Sequence, residues 1–270
     1  MRLKPKLILT NLSLALMLVI SPIAQSKLLP KPATNASQLA ANRYDSSNDI
    51  FHPVYGKNGM VASEQGLATQ VGLDILKQGG NAIDAAVAVG FALAVVLPNA
   101  GNIGGGGFMV LHDDKTGKDV AIDFREIAPA KASRDMYLDS QGNVIDGKSL
   151  FTHDASGVPG TVAGMEYALK KWGTMPLSKV LEPAIKLADK GFIVSDVLAK
   201  TLKEEKSTLG KWSASKAIFF KNGEPLKSGD LLVQKDLAKS LRLIAKQGAK
   251  AFYQGEIATK IAKEMQSHGG

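Results

Sequence analysis

Residues 99–109 read NAGNIGGGGFM, and residues 123–132 read DFREIAPAKA. The four glycines Gly104–Gly107 carry no Cβ, so their backbone N–H groups can come close to a ligand or to another chain segment. Arg125 supplies a planar guanidinium that matches a carboxylate through two hydrogen bonds and stays charged at any working pH. Together the two motifs predict a site for a small ligand of the amino-acid type.

An antiparallel hairpin is predicted between these two motifs. Residues 108–112 form a strand pattern, residues 113–117 contain a turn sequence, and residues 120–124 form a second strand pattern. Arg125 follows the second strand directly. Because alternate residues share a face, Asp123 and Arg125 are expected on the same side of the hairpin.

A buried helix is predicted before the glycine run. Asn81 and Asp84 form a helix-start signal, residues 82–97 are almost entirely apolar, and Pro98 prevents continuation. A helix without a polar face is covered by protein on several sides, and this one is too short to span a bilayer. The pattern therefore indicates a domain with packed layers.

Two further local patterns carry predictions. Ser63 stands before a helix whose apolar residues Leu67, Val71 and Ile75 recur every four positions, so Ser63 is the predicted N-cap. Residues 217–220 are apolar and aromatic and precede an Asn–Gly pair, which predicts a short strand followed by a turn.

Composition excludes several classes of protein. The 270 residues include no cysteine, so disulfides, a thiol nucleophile and cysteine-ligated metals are excluded. The net charge of +8 comes from lysines interleaved with acidic residues, without the aromatic and basic clustering typical of nucleic-acid binding. The glycine run Gly104–Gly107 fits neither phosphate-binding glycine motif, and Gly107 leads into a strand instead of a helix. We therefore expect no nucleic acid and no nucleotide cofactor.

The N-terminus has the pattern of an export signal. Three cations precede the apolar residues 7–20, and small residues at Ala24 and Ser26 match a signal-peptidase site. We expect residues 1–26 to be a cleaved signal peptide, residues 27–50 a flexible leader, and residues 51–270 the folded part. The alternative is a retained membrane anchor, which the interrupted apolar stretch disfavours. The protein is expected to be exported, to the periplasm or beyond it.

No metal site or nucleophile is predicted. His52, His112, His153 and His268 are scattered, and none stands four residues from another. Ser156 lacks the preceding glycine of a serine-hydrolase elbow. We expect no metal, no cofactor and no catalytic nucleophile within these residues.

Each half of the proposed ligand site also has a purely structural interpretation. The glycine run is equally compatible with a tight connection between a strand and its neighbour. Arg125 could simply pair with Asp123 or Glu126, which at the surface contributes little stability. The apolar residues Phe124 and Ile127 favour a recessed position for Arg125 and hence a binding role.

Four segments in the same order resemble the large subunit of γ-glutamyltranspeptidases. The matching segments are residues 79–88, 101–109, 123–129 and 157–164. The resemblance runs from about Phe51 to the last residue. It implies an α+β protein with the four-layer αββα fold of N-terminal-nucleophile hydrolases, of which only the N-terminal part of the large subunit is present.

The resemblance also implies an activity. Such a precursor cleaves itself, and the threonine that then opens the small subunit attacks the γ-glutamyl amide of glutathione. The γ-glutamyl group passes to water or to acceptor amino acids and peptides. We expect no cofactor, and the partner of this chain would be the small subunit of the same precursor.

The resemblance assigns roles residue by residue. Arg125 would hold the α-carboxylate of the γ-glutamyl group, and Glu126 would orient Arg125 or shape the α-amine end. The nucleophilic threonine would lie beyond Gly270, so these residues alone are expected to be inactive. Thr152 is expected to be an ordinary loop or helix-cap residue.

Two alternatives remain open at this stage. One is an amidase of the cephalosporin-acylase type, which shares the fold and acts on another acyl group. The other is a non-catalytic exported protein that binds amino acids or peptides through the glycine run and Arg125.

Overall fold

A computed structural model describes residues 54–270, and the predicted signal peptide (1–26) and leader (27–50) lie outside them. The helices are α1 Gly66–Lys77, α2 Ala82–Val96, α3 Lys148–Phe151, α4 Thr161–Trp172, α5 Leu177–Lys190, α6 Asp196–Glu204, α7 Lys206–Leu209, α8 Ser213–Phe219, α9 Lys235–Gln247, α10 Ala249–Tyr253 and α11 Glu256–Ser267. The strands are β1 Phe108–Asp113, β2 Lys118–Asp123, β3 Phe192–Ile193, β4 Phe220–Lys221, β5 Glu224–Pro225 and β6 Leu231–Leu232.

Helix α2 lies at the centre of the core, as its composition predicts. Its start is a capping box, in which the Asn81 side chain accepts N–H groups of the first turn and the Asp84 carboxylate accepts the Asn81 N–H. Most of its apolar residues are buried, and Val87, Phe91 and Val95 are fully so. Helices α1, α4 and α5 pack around it. The prediction of a helix covered by protein on several sides is confirmed.

Helices α5 and α9 extend this core. They pack against each other through apolar faces that include Leu181, Leu241 and Ile244, all fully buried. The buried Gln234 side chain at the start of α9 donates to the Val95 carbonyl at the end of α2 (2.8 Å). That hydrogen bond satisfies a carbonyl that the helix end leaves without an intrahelical partner.

Two local predictions are wrong. Gln65, not Ser63, is the N-cap of α1, because its side chain accepts the N–H groups of Leu67 and Ala68. The Ser63 hydroxyl instead donates to the Gln65 carbonyl (3.0 Å), a local hydrogen bond two residues along the chain. The predicted strand at 217–220 is mostly helix α8, and only its last residue pairs in β4.

Helices and antiparallel strands occur together, which confirms the α+β class. The sheets of the described residues are three two-stranded pairs: β1 with β2, β3 with β6, and β4 with β5. Within residues 54–270, no helix combines the length and the apolarity that a membrane span requires.

Candidate functional site

The predicted hairpin is present and places Arg125 at its end. Strands β1 and β2 pair from Phe108 opposite Asp123 to Asp113 opposite Lys118. Gly107 and Phe124 extend the ladder, since the Phe124 N–H donates to the Gly107 carbonyl (3.0 Å). The glycine run therefore lies beside the segment that carries Arg125.

The glycine run touches the main chain of that segment. A Cβ placed on Gly106 would lie 2.7 Å from the Arg125 Cα and 2.7 Å from the Glu126 nitrogen. Such distances are too short for real Cβ atoms, so the position admits only glycine at this main-chain separation. The interpretation of the run as a tight connection between chain segments is confirmed.

A third segment completes the arrangement. The Gly105 carbonyl accepts the N–H groups of Gly160 (2.7 Å) and Thr161 (3.0 Å), which begin α4. Ile127 and Val158 exchange two backbone hydrogen bonds of 3.3 and 2.8 Å. We call the three segments the glycine junction: residues 105–107, 123–127 and 157–161.

Gly160 of the third segment and Gly164, which lies in the first turn of α4, leave room for Phe124. A Cβ on Gly160 would overlap the Phe124 carbonyl, and a Cβ on Gly164 would overlap the Phe124 side chain. The residue before Arg125 is thus enclosed by glycines from segments about 20 and 40 residues away. This explains physically why glycines occur in both the run at 104–107 and the motif at 157–164.

The Arg125 side chain itself lies in the open. Its side chain is 71% exposed, so the recessed position predicted from Phe124 and Ile127 is wrong for the described residues. The Arg125 backbone N–H donates to Asp123 Oδ1 (2.9 Å), and the side-chain Nε lies 4.0 Å from Glu126 Oε2. Within residues 54–270 no other acidic group pairs with it. The loose pair contributes little energetically and leaves the guanidinium available to a ligand.

Thr152 has the structural role expected of it. It is the C-cap of α3, and its hydroxyl donates to the carbonyl of Lys148, the first residue of that helix (2.6 Å). A hydroxyl engaged in this way closes a helix end and is not presented as a nucleophile.

The structure brings together two of the histidines that are distant in sequence. His153 Nε2 and His268 Nδ1 lie 3.6 and 3.3 Å from Glu264 Oε1, a grouping that sequence spacing does not reveal. Their rings stack at 14° with centroids 4.7 Å apart. Imidazole binds metals through a lone pair in the ring plane, so nearly parallel rings do not direct their nitrogens to one ion.

Sequence reasoning missed one supporting residue, Tyr253. Its hydroxyl donates to the Pro159 carbonyl (2.9 Å) and accepts the Ala163 N–H (3.3 Å). It thereby secures the start of α4 beside the junction. Burial raises the pKa of the Tyr253 phenol, and the Ala163 N–H opposes that shift. No local pattern identifies a contact between positions about 90 residues apart.

Comparison with known proteins supplies an independent measure of relationship. The glutathione hydrolase proenzyme of Escherichia coli K12 is 62% identical over 228 residues, covering 84% of this chain and 39% of that protein. The crystal structure of Helicobacter pylori γ-glutamyltranspeptidase has a TM-score of 0.79 at 54% identity, covering 81% of this chain and 63% of that one. Cephalosporin acylase from Bacillus halodurans has a TM-score of 0.71 at 31% identity, covering 84% and 44%.

The chain thus spans about two fifths of the length of its Escherichia coli relative. A family model described as gamma-glutamyltranspeptidase matches residues 68–270, which include α2, the hairpin and the whole glycine junction. On the strength of that match, the chain belongs to the γ-glutamyltranspeptidase family.

Proposed function

We propose that this chain is the N-terminal part of the large subunit of a γ-glutamyltransferase and glutathione hydrolase. The relative with 62% identity is named a glutathione hydrolase proenzyme, which supports both the substrate and a precursor that is processed. The observation that carries the proposal is the placement of Arg125: its guanidinium is available to a ligand, and its backbone N–H is held by the Asp123 carboxylate. It is suited to grip the α-carboxylate of a γ-glutamyl group.

The chemistry would take place at the other end of that group. A threonine of the small subunit adds its hydroxyl oxygen to the γ-carbonyl carbon, and the carbon–nitrogen bond of the amide breaks as the leaving amine takes up the proton. Water or an acceptor amine then resolves the resulting ester. The contribution of Arg125 is to hold the substrate so that its γ-carbonyl meets the nucleophile. Glu126 assists by orienting the guanidinium through its Nε side.

The complete protein would have the four-layer αββα fold. Strands β1 and β2 pair only with each other in the described residues, and their outward face carries exposed apolar side chains at Phe108 and Val110. A free strand edge beside such a face is suited to receive further strands, and here the small subunit of the same precursor would supply them.

Processing and location follow from the same proposal. Residues 1–26 would direct export and be removed, residues 27–50 would form a flexible leader, and residues 51–270 would belong to the large subunit. The mature enzyme would act in the periplasm or outside the cell on glutathione and related γ-glutamyl compounds, with amino acids or peptides as acceptors and no stable membrane anchor.

The two alternative functions have less support. Identity to the cephalosporin acylase is 31%, half of the 62% to the glutathione hydrolase proenzyme, which favours a γ-glutamyl substrate. A pure binding protein would use the glycine run to hold its ligand, whereas Gly106 and Gly107 contact Phe124 and its neighbours instead.

The test is Arg125→Lys in the protein encoded by the complete gene. Lysine keeps the charge and loses the two-point contact, so we expect the KM for γ-glutamyl donors to rise about tenfold or more. Arg134→Lys is the matched control, because Arg134 is also exposed and, within residues 54–270, pairs only with its neighbour Asp135. An unchanged donor KM would remove Arg125 from the site.

A further inference from the structure

We propose that Gly106 and Asp123 are positioning residues for Arg125, and that they determine how strongly the enzyme prefers donors with an α-carboxylate. The inference rests on the proposed function, because it gives a role to the main chain on which the carboxylate-binding arginine stands. Neither residue needs to touch the substrate. Each acts on the Asx turn that carries Arg125, in which the Asp123 carboxylate accepts the backbone N–H two residues on.

Asp123 holds this turn by a hydrogen bond. Its Oδ1 accepts the Arg125 N–H at 2.9 Å, two residues along the chain. A carboxylate acceptor makes this bond stronger than a neutral one would be. The same carboxylate forms no ion pair with the Arg125 guanidinium. Asp123 therefore fixes the backbone of Arg125 without occupying the group that would bind substrate.

Gly106 holds the turn by contact. Its missing Cβ leaves space that the Arg125 Cα and the Glu126 nitrogen fill, each 2.7 Å from where a Cβ would stand. The φ angle of Gly106 is not in the left-handed region, so alanine is excluded by space and not by backbone torsion. A methyl group at this position displaces the turn that carries Arg125.

Such a displacement matters because few contacts fix the position of the Arg125 side chain. It is 71% exposed, and its one ionic neighbour among the described residues, Glu126, is 4.0 Å away. The position of the guanidinium thus depends on the position of its own Cα. A misplacement of about 1 Å at a substrate-orienting group can lower activity by about 10²-fold.

The experiment measures discrimination between two substrates in the processed enzyme made from the complete gene. One substrate is a γ-glutamyl anilide, and the other is the 4-aminobutyryl anilide, which has the same leaving group and lacks the α-carboxylate. The quantity compared is the ratio of their kcat/KM values. A general structural defect lowers both values and leaves the ratio unchanged.

Two pairs of variants are compared. Gly106→Ala is expected to lower the ratio about tenfold or more, whereas Gly66→Ala leaves it within about twofold, because Gly66 lies outside the glycine run and a Cβ there meets nothing within 4 Å. Asp123→Ala is expected to lower the ratio as well, and Asp123→Asn to restore most of it, since its amide oxygen can still accept the N–H.

The outcomes separate this inference from the proposed function. If Arg125→Lys lowers the ratio while Gly106→Ala and Asp123→Ala do not, the positioning roles are wrong and the function stands. If Arg125→Lys leaves the ratio unchanged, the proposed role of Arg125 fails first. Should Gly106→Ala not yield folded enzyme, the two Asp123 variants decide the question alone.

Discussion

At the scale of single residues, Asp84 is the most completely engaged acidic group of the described chain. It is fully buried and accepts hydrogen bonds from the Asn81 N–H (2.8 Å), the Thr174 N–H (2.9 Å), the Thr174 hydroxyl (2.6 Å) and the Met175 N–H (3.0 Å). Burial alone raises the pKa of the Asp84 carboxyl, but these hydrogen bonds favour the charged form and outweigh burial, so its pKa lies below the ordinary value.

This environment predicts how stability depends on pH. A carboxyl whose pKa is lower in the folded state stabilises the protein above its unfolded pKa of about 3.9, and the contribution is lost as pH falls through the folded value. Asp84→Ala leaves several partly buried donors without an acceptor, so we expect a loss of about 3 kcal/mol in the free energy of unfolding near pH 7.

Urea unfolding of both proteins as a function of pH measures this. The difference between wild type and Asp84→Ala should shrink as the solution is acidified below about pH 4. Asp114→Asn changes an exposed carboxylate and serves as the control, with no pH-dependent difference expected. A difference that is the same at pH 3 and pH 7 would contradict the role assigned to the Asp84 charge.

At the scale of elements, composition and pattern predict α2 and the hairpin correctly. An almost unbroken apolar segment between Asn81 and Pro98 has few alternatives to a buried helix, and the turn at 113–117 fixes the hairpin register. The predicted strand at 217–220 is wrong because short apolar patterns fit helices and strands alike, and tertiary contacts decide between them.

Some features of the candidate site can likewise be predicted from sequence, and others cannot. Arg125 can be found from sequence because its chemistry and its place after a strand are local features. The enclosure of Phe124 by Gly160 and Gly164 cannot, since it depends on segments about 40 residues apart meeting in space. The exposure of the Arg125 side chain cannot be predicted either, because it depends on which distant segments of the chain cover it.

The start of α4 offers a test of the support beneath the junction. Its N-cap, Gly160, has no side chain to accept the first N–H groups, and the Tyr253 hydroxyl accepts one of them, from Ala163. Tyr253→Phe removes that hydroxyl and keeps the ring, so we expect a loss of about 1 to 2 kcal/mol in stability. Faster hydrogen exchange in the first turn of α4 should accompany it.

Tyr167→Phe is the matched control for this prediction, because Tyr167 lies in the same helix and is half exposed. Thermal unfolding and hydrogen exchange are measured on both variants. Equal unfolding temperatures and equal exchange rates in the two variants would show that the Tyr253 hydroxyl does not support α4.

At the scale of the whole molecule, the outward face of the hairpin remains to be accounted for. Phe108 is 65% exposed and Val110 is 80% exposed, while Leu111 on the opposite face is buried against the rest of the protein. A two-stranded hairpin with one apolar face in water is only marginally stable. This surface supports the proposal that strands of the small subunit cover it in the complete enzyme.

Replacing Val110 by aspartate tests that arrangement. If the small subunit packs on this face, Val110→Asp buries an unpaired charge there, which costs several kcal/mol, so the precursor should accumulate uncleaved or insoluble. Val197→Asp is the control, because Val197 is 76% exposed and lies on α6. Gel electrophoresis of cells expressing the complete gene shows the fraction cleaved into two subunits. Equal cleavage in both variants would mean that the hairpin face stays in water, and the four-layer arrangement would then have to be built elsewhere on the molecule.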